Sequence, residues 1–599
     1  MKRWAIKELG LILAIALTIL VWNKEPTIYP YLFVAITLAS LLAFSITGYY
    51  KGSVDKFSTI CLIFIVFLFL RNVQFIATHY QALIPADVTW EYAVINTFSQ
   101  ADKIFVIPAS TFTDMLSWYS SWPLLHTLSL IFNDALGIKV SLLPVILPTI
   151  FSLVGFLFVY LIADRLAIDL KLNKVIVPLS LLFYAIAPEA IYYGFKFVRN
   201  SLGLVFVLAE FYLLYKYISH RDSRILVLII LNAVAIVLTH HYTSLIFTAY
   251  LLAFATLTLI LALASGKLRR LITWIEKLPI FRKEAAVIGI VGLISAAVVF
   301  GWWSQVGTII EGTASGVGSR IGEMEISPFI LEAHYPQQLT PPWVNLFWAR
   351  DFLIYVPVFF GFAWLIKQKF KKRTLDFNEE RGFYFLILSL GCFGVFFLFE
   401  LFVSHVETFR IVLLSLPFIA LCSAILYVKM LSNGRWLKWL TFAVLIFVIT
   451  SSFLGLWGHR YAPIHLYCSS INAQEVGEPT PLDDRHYALQ QFVGENQLDL
   501  KSEEILSDDN SLLYRLLSPQ EYQKIGPGRA ALYAELTRAV ADGDNLVVID
   551  FGAGFYSHYC GPYAPVEPEA AEEARAEYCS KLESNLNKIY HNGFEVWLK

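Results

Sequence analysis

The sequence predicts a polytopic α-helical membrane protein: about thirteen transmembrane helices, then a small extracytoplasmic α/β domain at the C-terminus. Three observations predict it. Apolar residues make up 57% of the 599 and charged residues 16%, a balance that soluble chains rarely reach. The apolar residues gather in runs of about twenty, the length that crosses a hydrocarbon core as a helix. Basic residues collect in every second connection between those runs, as the positive-inside bias requires.

The runs cover roughly 5–22, 31–48, 57–77, 139–163, 174–194, 199–218, 223–240, 243–264, 285–303, 351–369, 382–403, 409–429 and 436–457. The first follows Lys2 and Arg3 as a signal peptide would, but no small-x-small cleavage site precedes Asn23-Lys24-Glu25-Pro26, so it reads as a spanning helix. With the N-terminus cytoplasmic, the inner connections hold Lys51 and Lys56; Arg165, Lys171 and Lys174; Lys216, Arg221 and Arg224; then Lys367, Lys369, Lys371, Lys372, Arg373 and Arg381; and Lys429, Arg435 and Lys438. The inner segment 267–283 interleaves Lys267, Arg269, Arg270, Lys277, Arg282 and Lys283 with Leu, Ile, Trp and Phe, the pattern of an amphipathic helix on an anionic leaflet. An odd number of spans leaves the C-terminus outside. The organisation is then an N-terminal transmembrane pair over 1–56, a membrane module over 57–457 with outer loops 79–138 and 304–350, and an outer domain over 458–599.

The tail changes composition. Residues 459–599 hold 22 Asp and Glu against 11 Lys and Arg, while the whole chain has a net charge of −1, so the membrane part is basic and the tail acidic. Asn545–Phe551 has the β-branched apolar run of a buried strand. Residues 587–598 read as a hairpin turning at Asn592-Gly593, and 566–586, rich in Ala and Glu, as a helix. Cys468, Cys560 and Cys579 lie where a disulfide is permitted, Cys560 with Cys579 being the favoured pair. Cys61, Cys392 and Cys422 lie within spans and read as small packing residues.

Chemistry-bearing residues collect at the outer ends of the spans. Asp87 and Glu91 share one face if their segment is helical, and an outward carboxylate there can take a proton from a hydroxyl or hold a divalent cation. Two solvated loop acids are the plainer reading. The same loop carries Asp114, Trp118, Trp122 and His126; its aromatic rings suit stacking on sugars or anchoring at the interface, with anchoring favoured for Trp118 and Trp122. Lys196 and Arg199 are cations at an outer boundary, suited to a lipid phosphate or to snorkelling at a helix end. His240, His241 and Tyr242 occupy a tight outer turn where polar groups need work or partners. Loop 304–350 contains Glu311, Arg320, Glu323, Glu325, Glu332, His334 and Arg350, with glycines at 312, 316, 318 and 322, and reads either as a lid or as a connector. His405, Glu407 and Arg410 lie in the turn before the twelfth span, where Arg410 is a natural phosphate ligand and a Glu407–Arg410 ion pair is the alternative.

These features together resemble the GT-C superfamily of membrane glycosyltransferases, its prokaryotic and archaeal members most of all. The resemblance covers roughly 57–430 and rests on the Asp87/Glu91 pair, the aromatic segment 117–126, the helix start Arg199-Asn200-Ser201-Leu202-Gly203, the run His240-His241-Tyr242-Thr243 and the late Arg410. It implies transfer of a sugar from a polyprenyl-phosphate carrier to a glycan, lipid or protein acceptor on the outer face. Asp87 is then the catalytic or metal-binding acid, assisted by Glu91, and Lys196, Arg199 and Arg410 hold the lipid phosphate. Expected partners are the lipid-linked donor, the acceptor and the bilayer, with no nucleic acid; no metal is expected to be tightly held, although a divalent cation remains an option. Two departures stand out: the acidic loop follows the third span instead of the first, and the acids are spaced D-x-x-x-E instead of adjacent. A partial likeness to the oligosaccharyltransferase catalytic subunit rests on Thr308-Ile309-Ile310-Glu311, but the W-W-D motif expected in its outer domain is missing, which ranks oligosaccharide transfer below monosaccharide transfer. A lipid or polysaccharide transporter is the reading from another class; it predicts polar residues along several spans, broken helices and an internal repeat.

Overall fold

The computed structural model describes residues 28–78, 91–92, 94–95, 97–99, 103–104, 106, 114–268, 282–306, 344–371, 376–399 and 408–458, and five short strands between 505 and 598. The expected first span, Asp87, His405, Glu407, most of the basic segment 267–283, most of loop 304–350, the three tail cysteines and the helix expected over 566–586 lie outside the described residues.

The apolar runs fold as helices. In chain order these are α1 (Ile28–Tyr50), α2 (Lys56–Thr78), α3 (Asp114–Ser120), α4 (Leu124–Leu136), α5 (Leu143–Asp169), α6 (Ile176–Ile186), α7 (Pro188–Phe195), α8 (Arg199–His220), α9 (Ser223–Thr239), α10 (His241–Leu268), α11 (Arg282–Val306), α12 (Val344–Tyr355), α13 (Pro357–Lys371), α14 (Phe377–Phe399), α15 (Thr408–Ser432) and α16 (Arg435–Gly458). Among the described residues, eight helical stretches are long and apolar enough to cross a membrane, within α5, α8, α10, α11, α12–α13, α14, α15 and α16; shorter apolar stretches lie in α1, α4, α6 and α9. The chain is thus a multi-pass helical membrane protein.

Two expected spans are broken, each at a proline. The run 174–194 divides into α6 and α7 around Ala187, which is extended, with Pro188 opening the next helix. A proline lacks the N–H that would continue the ladder and biases the residue before it away from the helical region. The run 351–369 breaks in the same way at Val356-Pro357, and α12 begins seven residues earlier than expected. The outer loop 79–138 also departs from a plain surface connection. It contains α3 and α4, and Trp122, Leu125 and His126 within it are buried.

Close backbone approach fixes the central packing. At Gly361 in α13 a Cβ would overlap the Cys422 carbonyl of α15, so only glycine lets these two helices meet there. At Gly194 a Cβ would run into the Arg71 side chain. Arg71 comes from α2 and is buried. Its guanidinium donates to the carbonyls of Phe67 (3.3 Å), Ala185 (3.1 Å) and Ala190 (3.0 Å). Breaking α6 leaves carbonyls that no helix turn satisfies, and Arg71 supplies the missing donors.

In the tail the five strands are β1 (Ile505–Ser507), β2 (Arg529–Ala530), β3 (Leu546–Ile549), β4 (Asn587–His591) and β5 (Glu595–Leu598), ordered β2-β1-β3-β5-β4. β1 pairs in parallel with β2 and β3, and β5 runs antiparallel to β3 and β4. The strand expected over 545–551 is β3, and the expected hairpin is β4–β5 with Asn592-Gly593 between them.

Candidate functional site

Helix order brings the first turns of α8, α10 and α15 to the same end of the bundle as the last turns of α9 and α11, with α3 and α4 laid against them. At that end Glu91, His126, Lys196, Arg199 and His240 are buried, and His241 and Arg410 partly so. Glu91 is 1% exposed and lies in a helical stretch of the acidic loop. Its Oε1 accepts from Arg199 Nε at 2.7 Å and from the Arg199 backbone N–H at 3.3 Å, and its Oε2 is 2.6 Å from His126 Nε2. Three segments, far apart in sequence, are clasped by one carboxylate. An ion pair so thoroughly removed from water is held together strongly, because losing one partner strands the other.

Arg199 opens α8, whose N-cap, Val198, is extended and offers no side-chain cap. Its guanidinium lies 4.1 Å over the Tyr119 ring and 5.2 Å over Trp122, and its Nη1 donates to the Tyr119 carbonyl at 3.4 Å. The next residue, Asn200, accepts at Oδ1 from the Thr243 hydroxyl at 2.6 Å, and that hydroxyl is 3.0 Å from His240 Nδ1. His240 caps α9 and the ring of His241, the first residue of α10, is 4.5 Å from it. Close packing of Gly203 on Thr243 brings α8 and α10 together there.

The His241 ring packs on Trp118 (5.0 Å) and Trp122 (4.8 Å), and these two indoles are 5.1 Å apart. Trp122 is fully buried, in a cluster with Val237, Val299 and Trp303, while Trp302 Nε1 donates to the Ser121 carbonyl at 2.9 Å. Rings at those separations fill their own space and fasten α3 and α4 onto α9, α10 and α11. The Arg410 guanidinium, from the first turn of α15, lies 5.2 Å over the Tyr242 ring. Lys196 is buried in the extended link between α7 and α8, and its ammonium lies 6.0 Å over the Tyr193 ring.

The structure therefore brings together Glu91, His126, Trp118, Trp122, Arg199, His240, His241, Tyr242 and Arg410, with Lys196 on the link that leads into Arg199. Asp87, His405 and Glu407 lie outside the described residues. Of Asp114, only the helical backbone is described. Among the described residues, no three His, Cys, Asp or Glu side chains gather to hold a metal ion.

Sequence reasoning passed over several buried polar residues. Arg71 and Glu210 lie inside apolar runs, where an ionisable residue is itself the signal. Glu210 is fully buried in mid-helix and accepts from Asn232 Nδ2 at 2.7 Å. Glu189, at the start of α7, accepts from the Tyr355 hydroxyl, beside Arg350 and Asp351, which are also buried. Arg350, expected at the end of loop 304–350, belongs to α12.

No protein-family model and no curated protein matches the chain. Among solved structures, the chain is similar to the crystal structure of ArnT from Cupriavidus metallidurans bound to undecaprenyl phosphate, with a TM-score of 0.44 and 12% sequence identity over 91% of this chain and 98% of that one.

Proposed function

We propose that this protein is a membrane glycosyltransferase that moves a sugar from a polyprenyl-phosphate carrier to a glycan, lipid or protein acceptor on the outer face. The observation that carries the reading is the concentration of buried guanidinium, imidazole and carboxylate groups, framed by indole and phenol rings, at one end of a bundle of apolar helices. A donor with a long apolar tail, a phosphate and a sugar needs such a place. Its tail lies along helices already solvated by lipid, and its phosphate meets cations at the depth of the headgroups. Its sugar meets aromatic faces and polar groups.

In this reading Asp87 takes the proton of the acceptor hydroxyl. The acceptor oxygen bonds to the anomeric carbon as the bond from that carbon to the phosphate oxygen breaks, and the electron pair leaves with the phosphate. Attack opposite the leaving group inverts the anomeric centre. Lys196, Arg199 and Arg410 stabilise the charge that builds on the departing phosphate, the kind of electrostatic assistance that contributes most where water is excluded. Glu91, paired to Arg199 and His126, serves this site by holding the start of α8 in place. The charge on a phosphate monoester can be met by these cations, and a divalent cation can add to them.

The test is a transfer assay in membranes with radiolabelled polyprenyl-phosphate sugars and an acceptor-containing lipid and glycan extract, comparing wild type with Asp87→Asn at matched expression. Transfer by the wild type and its loss in the variant supports the reading. Transfer that survives the substitution moves the base elsewhere. No transfer by either protein from any donor, with movement of lipid-linked sugar across vesicles instead, overturns it in favour of a transporter.

A further inference from the structure

A helix N-terminus presents N–H groups that no turn of the helix satisfies, and it attracts anions. At α8 the position is filled by a carboxylate from elsewhere in the chain. Glu91 Oε1 takes both the backbone N–H and the Nε of Arg199, and the other oxygen takes His126. With these bonds made, the two carboxylate oxygens are committed. Yet three buried nitrogens of the residues gathered around Arg199 have no hydrogen-bond partner among the described residues: Asn200 Nδ2, Trp122 Nε1 and His241 Nδ1, which donates in its Nδ1–H tautomer. Asn200 is the next residue on α8. The Trp122 ring is 5.2 Å from the guanidinium, and His241 is 4.8 Å from Trp122. Buried donors without acceptors are rare because they cost stability. A surplus of them around an ion pair describes a place suited to an anion larger and richer in oxygen than a carboxylate.

We infer that Glu91 is the resident occupant of an oxyanion site at the N-terminus of α8, and that a phosphate group displaces its Oε1, to be held by Arg199 and by Nδ2 of Asn200 while Glu91 remains with His126. A terminal phosphate presents three oxygens to the same donors, and its greater charge favours it over the carboxylate. The identification of the phosphate as that of a lipid carrier rests on the proposed function; the site itself does not. The acid four residues after Asp87 is then a gate on binding of the carrier monophosphate that transfer leaves behind: it neutralises Arg199 while the site is empty and competes with the phosphate for it.

The test is equilibrium binding of a labelled polyprenyl monophosphate to the purified full-length protein in detergent, with no transfer required. Inorganic phosphate and neutral polyprenol are the competitors, and thermal stability is followed in parallel. Glu91→Gln keeps the shape and the acceptor oxygen but removes the competing charge, and is expected to tighten binding about tenfold. Asn200→Ala is expected to weaken it about tenfold, the loss of one hydrogen bond to a charged group; because it also removes the acceptor of the Thr243 hydroxyl, affinity is compared per folded molecule. Displacement by neither competitor identifies a lipid headgroup, and displacement by inorganic phosphate identifies free phosphate; both support the site, whereas displacement by neutral polyprenol alone shows that the tail and not the phosphate is bound and overturns it. Weaker or unchanged binding in folded Glu91→Gln overturns the gate and leaves Glu91 a structural clasp. If that variant does not fold, unchanged affinity in folded Asn200→Ala overturns the site, as does binding of neither phosphate by the wild type. Phosphate binding with this pattern but no sugar transfer would sink the proposed function and leave the site standing; transfer without the pattern would do the reverse.

Discussion

The two ends of the helix bundle handle charge in opposite ways. At the end formed by the last turns of α5, α8 and α13 and the first turns of α11 and α14, ionisable groups are matched in short local ties. Lys369 donates to Glu379 and to the Leu170 carbonyl, both at 2.7 Å. Arg221 meets Glu284, Arg165 and Tyr215 meet Asp169, Lys171 meets Asp376, and Arg381 donates to the Ser219 carbonyl. Apart from Arg165–Asp169, which lies within α5, the ties join neighbouring helix ends, and several are exposed on one side. At the other end one buried carboxylate serves Arg199 and His126 together, and nitrogens of the surrounding residues go without acceptors among the described residues. The first arrangement fastens helices. The second stores unspent hydrogen-bonding capacity, which is what a binding site needs before its ligand arrives.

That contrast predicts that substitutions at the site end change turnover and leave stability largely intact, while those at the opposite end do the reverse. The largest effect is expected at Asp87. Loss of a general base costs a factor of about 10² to 10⁴, so Asp87→Asn should lower transfer about a thousandfold with an unchanged melting temperature. Arg410→Ala removes one cation facing the leaving phosphate and should lower transfer about a hundredfold; Arg410→Lys should recover part of that, since it restores charge without the planar face that lies over Tyr242. If either substitution unfolds the protein instead, the site end is a fastener like the other.

Lys369→Met tests the other half of the comparison. It removes the nearer cation from the buried Glu379 carboxylate and leaves Lys171, 3.5 Å from its other oxygen; breaking a buried pair by removing one partner costs about 3 kcal/mol. The melting temperature should fall, while transfer per folded molecule should stay within about twofold of wild type. A large loss of turnover at matched folded protein would show that the two ends are coupled.

The parts of this molecule that are local in sequence were legible in it. Apolar runs became helices because burial and backbone satisfaction in lipid leave little else. The β4–β5 pairing was visible because Asn592-Gly593, a turn-forming pair in sequence, separates two strand-like runs. The breaks at Pro188 and Pro357 were legible in principle, but runs of about twenty apolar residues hid them, since length was weighed before the proline. The site was legible only as an inventory. Glu91 reads as a solvated loop acid until Arg199, more than a hundred residues later, and His126 are placed beside it, and no spacing rule connects those three. Trp122 reads as a sugar platform or, preferably, an anchor; only its burial against Trp303 and His241 shows that its faces are already taken.

The smallest expected effect lies at the start of α14 and tests how far the fastening end depends on charge alone. Asp376 accepts the Glu379 N–H at 2.9 Å, capping the helix, and its other oxygen meets Lys171. The cap first and the ammonium second hold the Asp376 carboxyl below its ordinary value, and Asp376 in turn holds Lys171 above its own. A carboxyl lowered on folding contributes stability above its unfolded pKa of about 4 and loses it as pH falls through the folded value; a lysine raised on folding contributes below about 10 and loses it as pH rises. The pair therefore acts across the whole neutral range and fades at both extremes. Both side chains are about half exposed, however, so solvent and salt screen the attraction. Asn caps a helix about as well as Asp, so Asp376→Asn removes the charge and keeps the cap. Its melting temperature should lie within about 1 °C of wild type at neutral pH, and the difference should vanish as pH falls through the lowered Asp376 value. A larger gap at neutral pH that persists in high salt would mean that the fastening end works through buried geometry at this position too, as it does at Lys369.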